Sequence, residues 1–195
     1  MARRLRIGVD VDDVIVDFVS AFRQEAEAVL GRKFPRPPGS WSFKNWGVTK
    51  EEIERVWERI KISDNWFYMN CSALPGVPEN LPWLVENHDV YFITARIETP
   101  GFSVQKQTQL SLSDIGIQFP TVLVEHNKGA IADALRLDAF IDDKIENLRD
   151  VDSFVTSTAK LFVMNRSHNE DYPTPESWTR VDNFKEFVDK IQEME

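Results

Sequence analysis

Apolar residues recur along this chain in two rhythms, and the alternation between them divides it into elements. Short apolar runs stand at residues 7–9, 90–93, 139–141 and 161–164, each bounded by polar residues, and at 121–124, where Thr121 opens the run after Pro120. Runs of that length read as buried strands. Between them the apolar residues fall at helical spacing. Val14, Phe18, Phe22, Ala26 and Val29 predict a helix over 14–30 with Gly31 as its stop. Thr49-Lys-Glu-Glu52 is a capping box, opening a helix that carries Ile53, Val56, Trp57 and Ile60 and ends near Ile62. Pro75-Gly76 is a turn, with a short helix over 77–87 after it; further helical patterns cover 103–112, 128–135 and an amphipathic tail at 182–194.

Residues 33–40, with Pro35, Pro37, Pro38 and Gly39, read as a loop, and 64–73 as an aromatic-rich connection. Strands alternating with helices predict an α/β fold, a parallel five-stranded sheet covered on both faces as a three-layer sandwich. The stretch from 17 to 75 interrupts the alternation between the first two strands. It predicts a small helical cap inserted into a core made of 1–16 and 76–195.

Composition narrows the function classes. The chain has 195 residues and a formal net charge of −9, which disfavours wide contact with extended nucleic acid but admits a small anionic substrate if a metal and a few placed cations reverse the local field. The single Cys71 cannot form an internal disulfide and reads as an apolar filler. No apolar run approaches a membrane span, and the basic start, Met1 to Arg6, is followed by an acidic strand end rather than a signal-peptide core. A cytoplasmic protein without membrane contact is expected, with a homodimer admitted.

The polar residues that follow the strands then change the picture. Asp10 and Asp12 follow the first strand, Thr94 the second, Glu125 to Lys128 the third, and Asp142 and Asp143 the fourth. In open α/β sheets this carboxyl edge is where ligands bind. Acidic side chains gathered there repel one another, and a hard divalent cation with oxygen ligands relieves that repulsion. No Cys/His spacing suggests zinc.

The ordered set Asp10-Val-Asp12, Tyr91-Phe-Ile-Thr94, Lys128 and Phe140-Ile-Asp-Asp143 resembles the motifs of the haloacid dehalogenase (HAD) superfamily of phosphatases over nearly the whole chain. The extended form Asp10-Val-Asp-Asp-Val-Ile-Val-Asp-Phe18, with Trp66-Phe67 and Leu74-Pro-Gly76, is most similar to the 5'(3')-deoxyribonucleotidase branch. The resemblance implies a HAD-like Rossmannoid fold and a Mg²⁺-dependent phosphomonoesterase. Asp10 would be the nucleophile that forms an aspartyl-phosphate. Asp12 would protonate the leaving oxygen and then take a proton from water. Mg²⁺ would be held by Asp10, the main-chain carbonyl of Asp12, and the Asp142-Asp143 pair, with Asp143 the direct ligand by analogy. Thr94, Ala95 and Lys128 would bind the phosphoryl group, and Arg96 and Lys144 could reach phosphate or sugar, although exposed ion pairing suits them as well. Asp13 departs from the motif, which often has Gly there, although Asp tolerates left-handed backbone better than most residues.

The cap would supply specificity. Phe18 matches an aromatic that packs against the base in the nucleotidase branch, and Trp41, Phe43, Trp46, Trp66 and Phe67 are further candidates for an apolar slot, since any base can stack on an aromatic face. Aromatics in a small cap are more often core, and Phe18 is the one placed evenly between core and substrate contact. His88, His126 and His168 show no pairing pattern and read as structural or solvent-exposed. Other readings stay open: a phosphatase for a sugar phosphate, one for nucleic-acid 3' ends, or a non-catalytic phosphate-binding module.

Overall fold

The computed structural model describes residues 3–35, 43–64, 66–154 and 158–194, with the side chains of Lys44 and Trp66 outside that description. In chain order, β1 (Arg6–Val9) and α1 (Phe18–Leu30) are followed by a single 3-10 turn at Lys44–Trp46, then α2 (Lys50–Lys61), α3 (Trp66–Met69) and α4 (Val77–Asn87). The second half alternates: β2 (Asp89–Thr94), α5 (Val104–Asp114), β3 (Thr121–Val124), α6 (Lys128–Leu135), β4 (Ala139–Asp142), α7 (Ile145–Asp152), β5 (Lys160–Met164), β6 (Thr179–Val181) and α8 (Phe184–Gln192).

The strands form one sheet in the order β3-β2-β1-β4-β5-β6, every pair parallel. Six strands replace the expected five. The extra strand, β6, has the sequence Thr-Arg-Val with only its last residue buried, so no apolar run marks it. Period-2 alternation sends neighbouring residues of a strand to opposite faces. Ala139 and Ile141 join the larger core with α4 and α8, whereas Phe140, Leu161 and Val163 join a smaller one with α6 and α7. That division is the three-layer sandwich. The central strand needs Gly8, because a Cβ there would lie 2.5 Å from Phe140 and 2.6 Å from Leu137.

The first helix starts at Phe18 rather than Val14. Residues 11–16 instead fold into a tight turn, with Asp13 N–H donating to Val16 O at 2.8 Å and Ile15 N–H to Val11 O at 2.9 Å. Asp13 sits at φ 56°, the left-handed backbone that its position was expected to demand. Asp17 then caps α1 by accepting from Ser20 N–H at 2.9 Å, and Gly31 ends it in a left-handed conformation. The capping box at Thr49 and Glu52 is formed. A short α3 lies inside the expected connection.

The two ends of the 17–75 stretch meet. Val16 and Ala73 form an antiparallel bridge, Asp17 N–H donates to Ser72 O and Leu74 N–H to Ile15 O. Within it α1 packs on α2. Phe22 stacks on Phe43 at 4.6 Å and tilts against Trp57 at 5.0 Å, while Trp46 stacks on Phe34 at 5.0 Å. Phe43 and Trp46, candidates for the slot, are therefore buried in the packing of this stretch, and Trp41 lies outside the described residues.

Candidate active site

Parallel register brings the strand ends together. Val9 pairs with Phe92 on one side and Ile141 on the other, so the residue after Val9 lies beside the ends of β2 and β4. Asp10 N–H donates to Ile141 O at 3.0 Å, which continues the ladder by one residue. Asp10 and Asp142 are thereby neighbours across strands. Thr94 closes β2, and its carbonyl accepts from Glu125 N–H at 2.9 Å beyond β3. Asn127 caps α6 by accepting from Ala130 N–H, and Lys128, the first residue of that helix, turns back under the edge.

Lys128 is 1% exposed. Its Nζ donates to Asp10 Oδ1 and, at 2.7 Å, to Asp142 Oδ2. Burial opposes its charge, yet Asp10 and Asp142 outweigh that cost and hold the ammonium above the ordinary lysine range. Asp10 is pushed well above the usual carboxylate range by burial, with Lys128 opposing and Asp142, Asp143 and Asp12 adding repulsion. Asp143 is raised in the same way, by burial and then by Asp142.

Asp142 and Asp143 have different surroundings. Asp142 is saturated: besides Lys128 it accepts from Lys144 N–H at 2.8 Å and from Asn147 Nδ2 at 3.0 and 3.1 Å. Asp143 Oδ2 is buried and makes no hydrogen bond among the described residues; His168 Nε2 lies 2.7 Å away but off hydrogen-bonding geometry. Carboxylate oxygens of Asp10, Asp142 and Asp143 lie within 4.8 Å of one another. Mutually repelling carboxylates with an unsatisfied buried oxygen suit a hard cation, so the residues present fit Mg²⁺.

The loop after β5 braces this edge. Asn169 Nδ2 donates to Asp143 O at 2.6 Å and Arg166 Nε to Asp13 O at 2.7 Å. His168 belongs here, buried against Asp143 and Asp13 rather than facing solvent, with burial lowering its pKa. Asp12 is gripped by Arg96, whose Nη2 donates to Oδ1 at 2.7 Å and whose Nε lies 3.1 and 3.0 Å from the two carboxylate oxygens. Thr94 Oγ1 is fully buried at the end of β2 and makes no hydrogen bond among the described residues.

A cavity of about 320 Å³ opens over this edge, lined by Asp10, Asp12, Phe18, Trp57, Tyr68, Ala95, Arg96, Ile97, His126, Lys128, Asp143, Lys144 and Asn147. That volume suits a small-molecule site. Of the residues singled out from sequence, Asp10, Asp12, Phe18, Ala95, Arg96, Lys128, Asp143 and Lys144 line it. Asp142 supports it from behind Lys128, and Thr94 lies beneath. Phe67 meets Phe18 edge-on at 5.5 Å and is not part of the lining. Trp66 opens α3, and its side chain lies outside the described residues. Sequence reading did not assign Trp57, Tyr68, Ile97 or Asn147 to the site. Trp57 was legible only as one member of an apolar stripe, and nothing marked the others.

Comparison with known proteins places this geometry. Residues 3–194 match the family described as 5' nucleotidase, deoxy (pyrimidine), cytosolic type C protein. A curated protein of Chlorobaculum tepidum, provisionally named a 5'(3')-deoxyribonucleotidase, is 27% identical over 147 residues, covering 73% of this chain and 71% of the relative. Among solved structures, a HAD family hydrolase of Deinococcus radiodurans with bound phosphate and sodium superposes with a TM-score of 0.60 at 13% identity, over 99% of this chain and 97% of that one. A magnesium-bound, provisionally named HAD hydrolase of Bacillus subtilis gives 0.59 at 15% identity, over 97% and 100%. These structures share the HAD-like α/β fold.

Proposed function

Because the chain belongs to the 5' nucleotidase, deoxy (pyrimidine), cytosolic type C protein family, and is a HAD-type phosphatase, we propose that it is a Mg²⁺-dependent phosphomonoesterase acting on nucleoside monophosphates, deoxyribonucleotides foremost. The observation that carries the reading is the buried Asp10–Lys128–Asp142 triple set at the floor of a cavity whose wall holds Phe18 and Trp57. The relative's name supports the deoxyribonucleotide. A cytoplasmic setting is part of the reading, supported by the family's description; among the described residues no helix is long and apolar enough to cross a membrane.

Asp10 would attack phosphorus in line with the leaving oxygen, and Lys128 beside it would neutralise charge on nucleophile and phosphate as the P–O bond breaks. Asp12, partly open to the cavity, would give its proton to the leaving oxygen. In the second half-reaction the carboxylate of Asp12 would take a proton from the water that attacks the aspartyl-phosphate. The buried hydroxyl of Thr94 and the N–H of Ala95 would hold phosphoryl oxygens. Asp10, the carbonyl of Asp12 and Asp143 would hold Mg²⁺, with Asp142 acting through water. The full set of hydrogen bonds on Asp142 argues against a direct bond from it to the metal, and the unsatisfied Oδ2 of Asp143 supports Asp143 as the direct ligand; a bridging water would replace one of the two Asn147 contacts to Asp142. Mg²⁺ bound there would offset repulsion between an anionic nucleophile and an anionic phosphate.

Residues 17–75 would serve as the cap. Phe18 and Trp57, with ring centroids 6.1 Å apart and an interplanar angle of 28°, would present the base with an aromatic wall. Asp10→Asn should abolish turnover of every phosphomonoester while the circular dichroism and Tm stay those of a folded protein. Retained turnover in that variant would refute Asp10 as the nucleophile.

A further inference from the structure

We propose that Arg96 is the positioning residue for Asp12, fixing the plane of the proton-donating carboxylate instead of binding the phosphate. The inference rests on the reading of Asp12 as proton donor. The Arg96 side chain is 0% exposed, whereas that of Asp12 is 18% exposed. The buried partner therefore holds the one that faces the cavity.

Arg96 is itself held on every side. Its Nη1 donates to Thr108 Oγ1 at 2.9 Å, and that hydroxyl donates on to Val104 O at 2.8 Å within α5. The guanidinium carbon lies 4.6 Å from the ring centroid of Tyr68. Tyr68 is locked in turn, its hydroxyl donating to Ile97 O and accepting from Ile97 N–H, both at 3.1 Å. All three guanidinium nitrogens are thus engaged within the protein. A planar fork gripping a carboxylate fixes its orientation as well as its charge. A carboxylate offers about four lone-pair sites; the Nη2–H, and the Nε–H shared between both oxygens of Asp12, leave room for the one proton it must deliver. Without the fork, a short side chain at the cavity mouth is free to turn about its χ angles and lose that aim.

Orientation of an acid matters only where the leaving group needs a proton. A nucleoside leaves as an alkoxide and needs one, while p-nitrophenolate leaves without it. The test is kcat/KM, which reports bond breaking up to the first irreversible step, for a deoxyribonucleoside monophosphate and for p-nitrophenyl phosphate. Arg96→Gln should lose about 10- to 100-fold on the nucleotide, a share of what general acid catalysis supplies, and stay within about threefold on the nitrophenyl ester. Arg96→Lys should behave alike, since a point charge cannot reproduce the fork. Thr108→Val, the milder change should the arginine variants fold poorly, should lose less in the same pattern.

Equal loss on both esters, or a wild-type ratio in Arg96→Lys and Thr108→Val, would overturn the proposal. Asp12→Asn, measured alongside, separates the two ideas. If it discriminates between the esters and the Arg96 variants do not, only the positioning role fails. If it does not discriminate, the proton-donor reading falls and takes the role of Arg96 with it.

Discussion

Lys128 has its ammonium closed between the carboxylates of Asp10 and Asp142, with almost no solvent reaching it. Removing one partner from such a group leaves charge buried without compensation, at a cost of about 3–5 kcal/mol. Lys128→Met should therefore lower the unfolding free energy, extrapolated from urea titration, by an amount in that range, besides abolishing activity. Added Mg²⁺ should restore part of the stability, because a cation can replace the missing charge among the same carboxylates. Equal stability with and without Mg²⁺ would contradict the picture of an acidic cluster built around cations. Cys71 offers a residue-scale contrast. Burial pushes its thiol up to about 12, so it should stay inert to thiol reagents at pH 8 in the folded protein and react once urea unfolds it. At this scale the sequence was informative where polar residues follow strand ends, as at Asp10, Asp12 and Asp143, which the structure brings into one cavity with Lys128. It was silent on Tyr68 and Asn147, because a wall residue and a hydrogen-bond donor to Asp142 acquire meaning only when distant segments meet.

At the scale of elements, the cavity wall is delivered by helices whose formation is local. Thr49 and Glu52 cap α2 from both directions, and that helix carries Trp57 to the cavity. Thr49→Ala should cost about 1 kcal/mol, read as a small fall in Tm. Trp57→Ala should lower kcat/KM for nucleotides by roughly tenfold, consistent with one lost stacking partner, while leaving p-nitrophenyl phosphate nearly untouched. A uniform loss on both esters would mean that Trp57 serves only packing. Helix patterns with a strong apolar stripe or a cap were legible in advance, α4 and α6 to the residue. The late start of α1 was not. Helical spacing continues through Val14, but Asp13 at φ 56° and the paired ends at Val16 and Ala73 impose a turn there. The strand β6 was missed because it is three residues long with only Val181 buried, and the helix α7 because it is short and its buried Ile145, Leu148 and Val151 are separated by polar and charged residues.

At the scale of the whole molecule, a six-stranded parallel sheet aligns the ends of β1, β2 and β4 so that acids from distant parts of the chain share one cavity. The net charge of −9 is compatible with an anionic substrate because Lys128 and Arg96 offset the acids they contact at that cavity and a cation suits the acids left over. The proposed chemistry rests on this arrangement, and the proposed substrate on the aromatic wall above it. The most direct test is kcat/KM across deoxyribonucleoside monophosphates and sugar phosphates, each with Mg²⁺ and with the metal removed by a chelator. A clear preference for the nucleotides and loss of turnover on chelation are expected. Equal or greater kcat/KM on sugar phosphates, or turnover that survives metal removal, would contradict it.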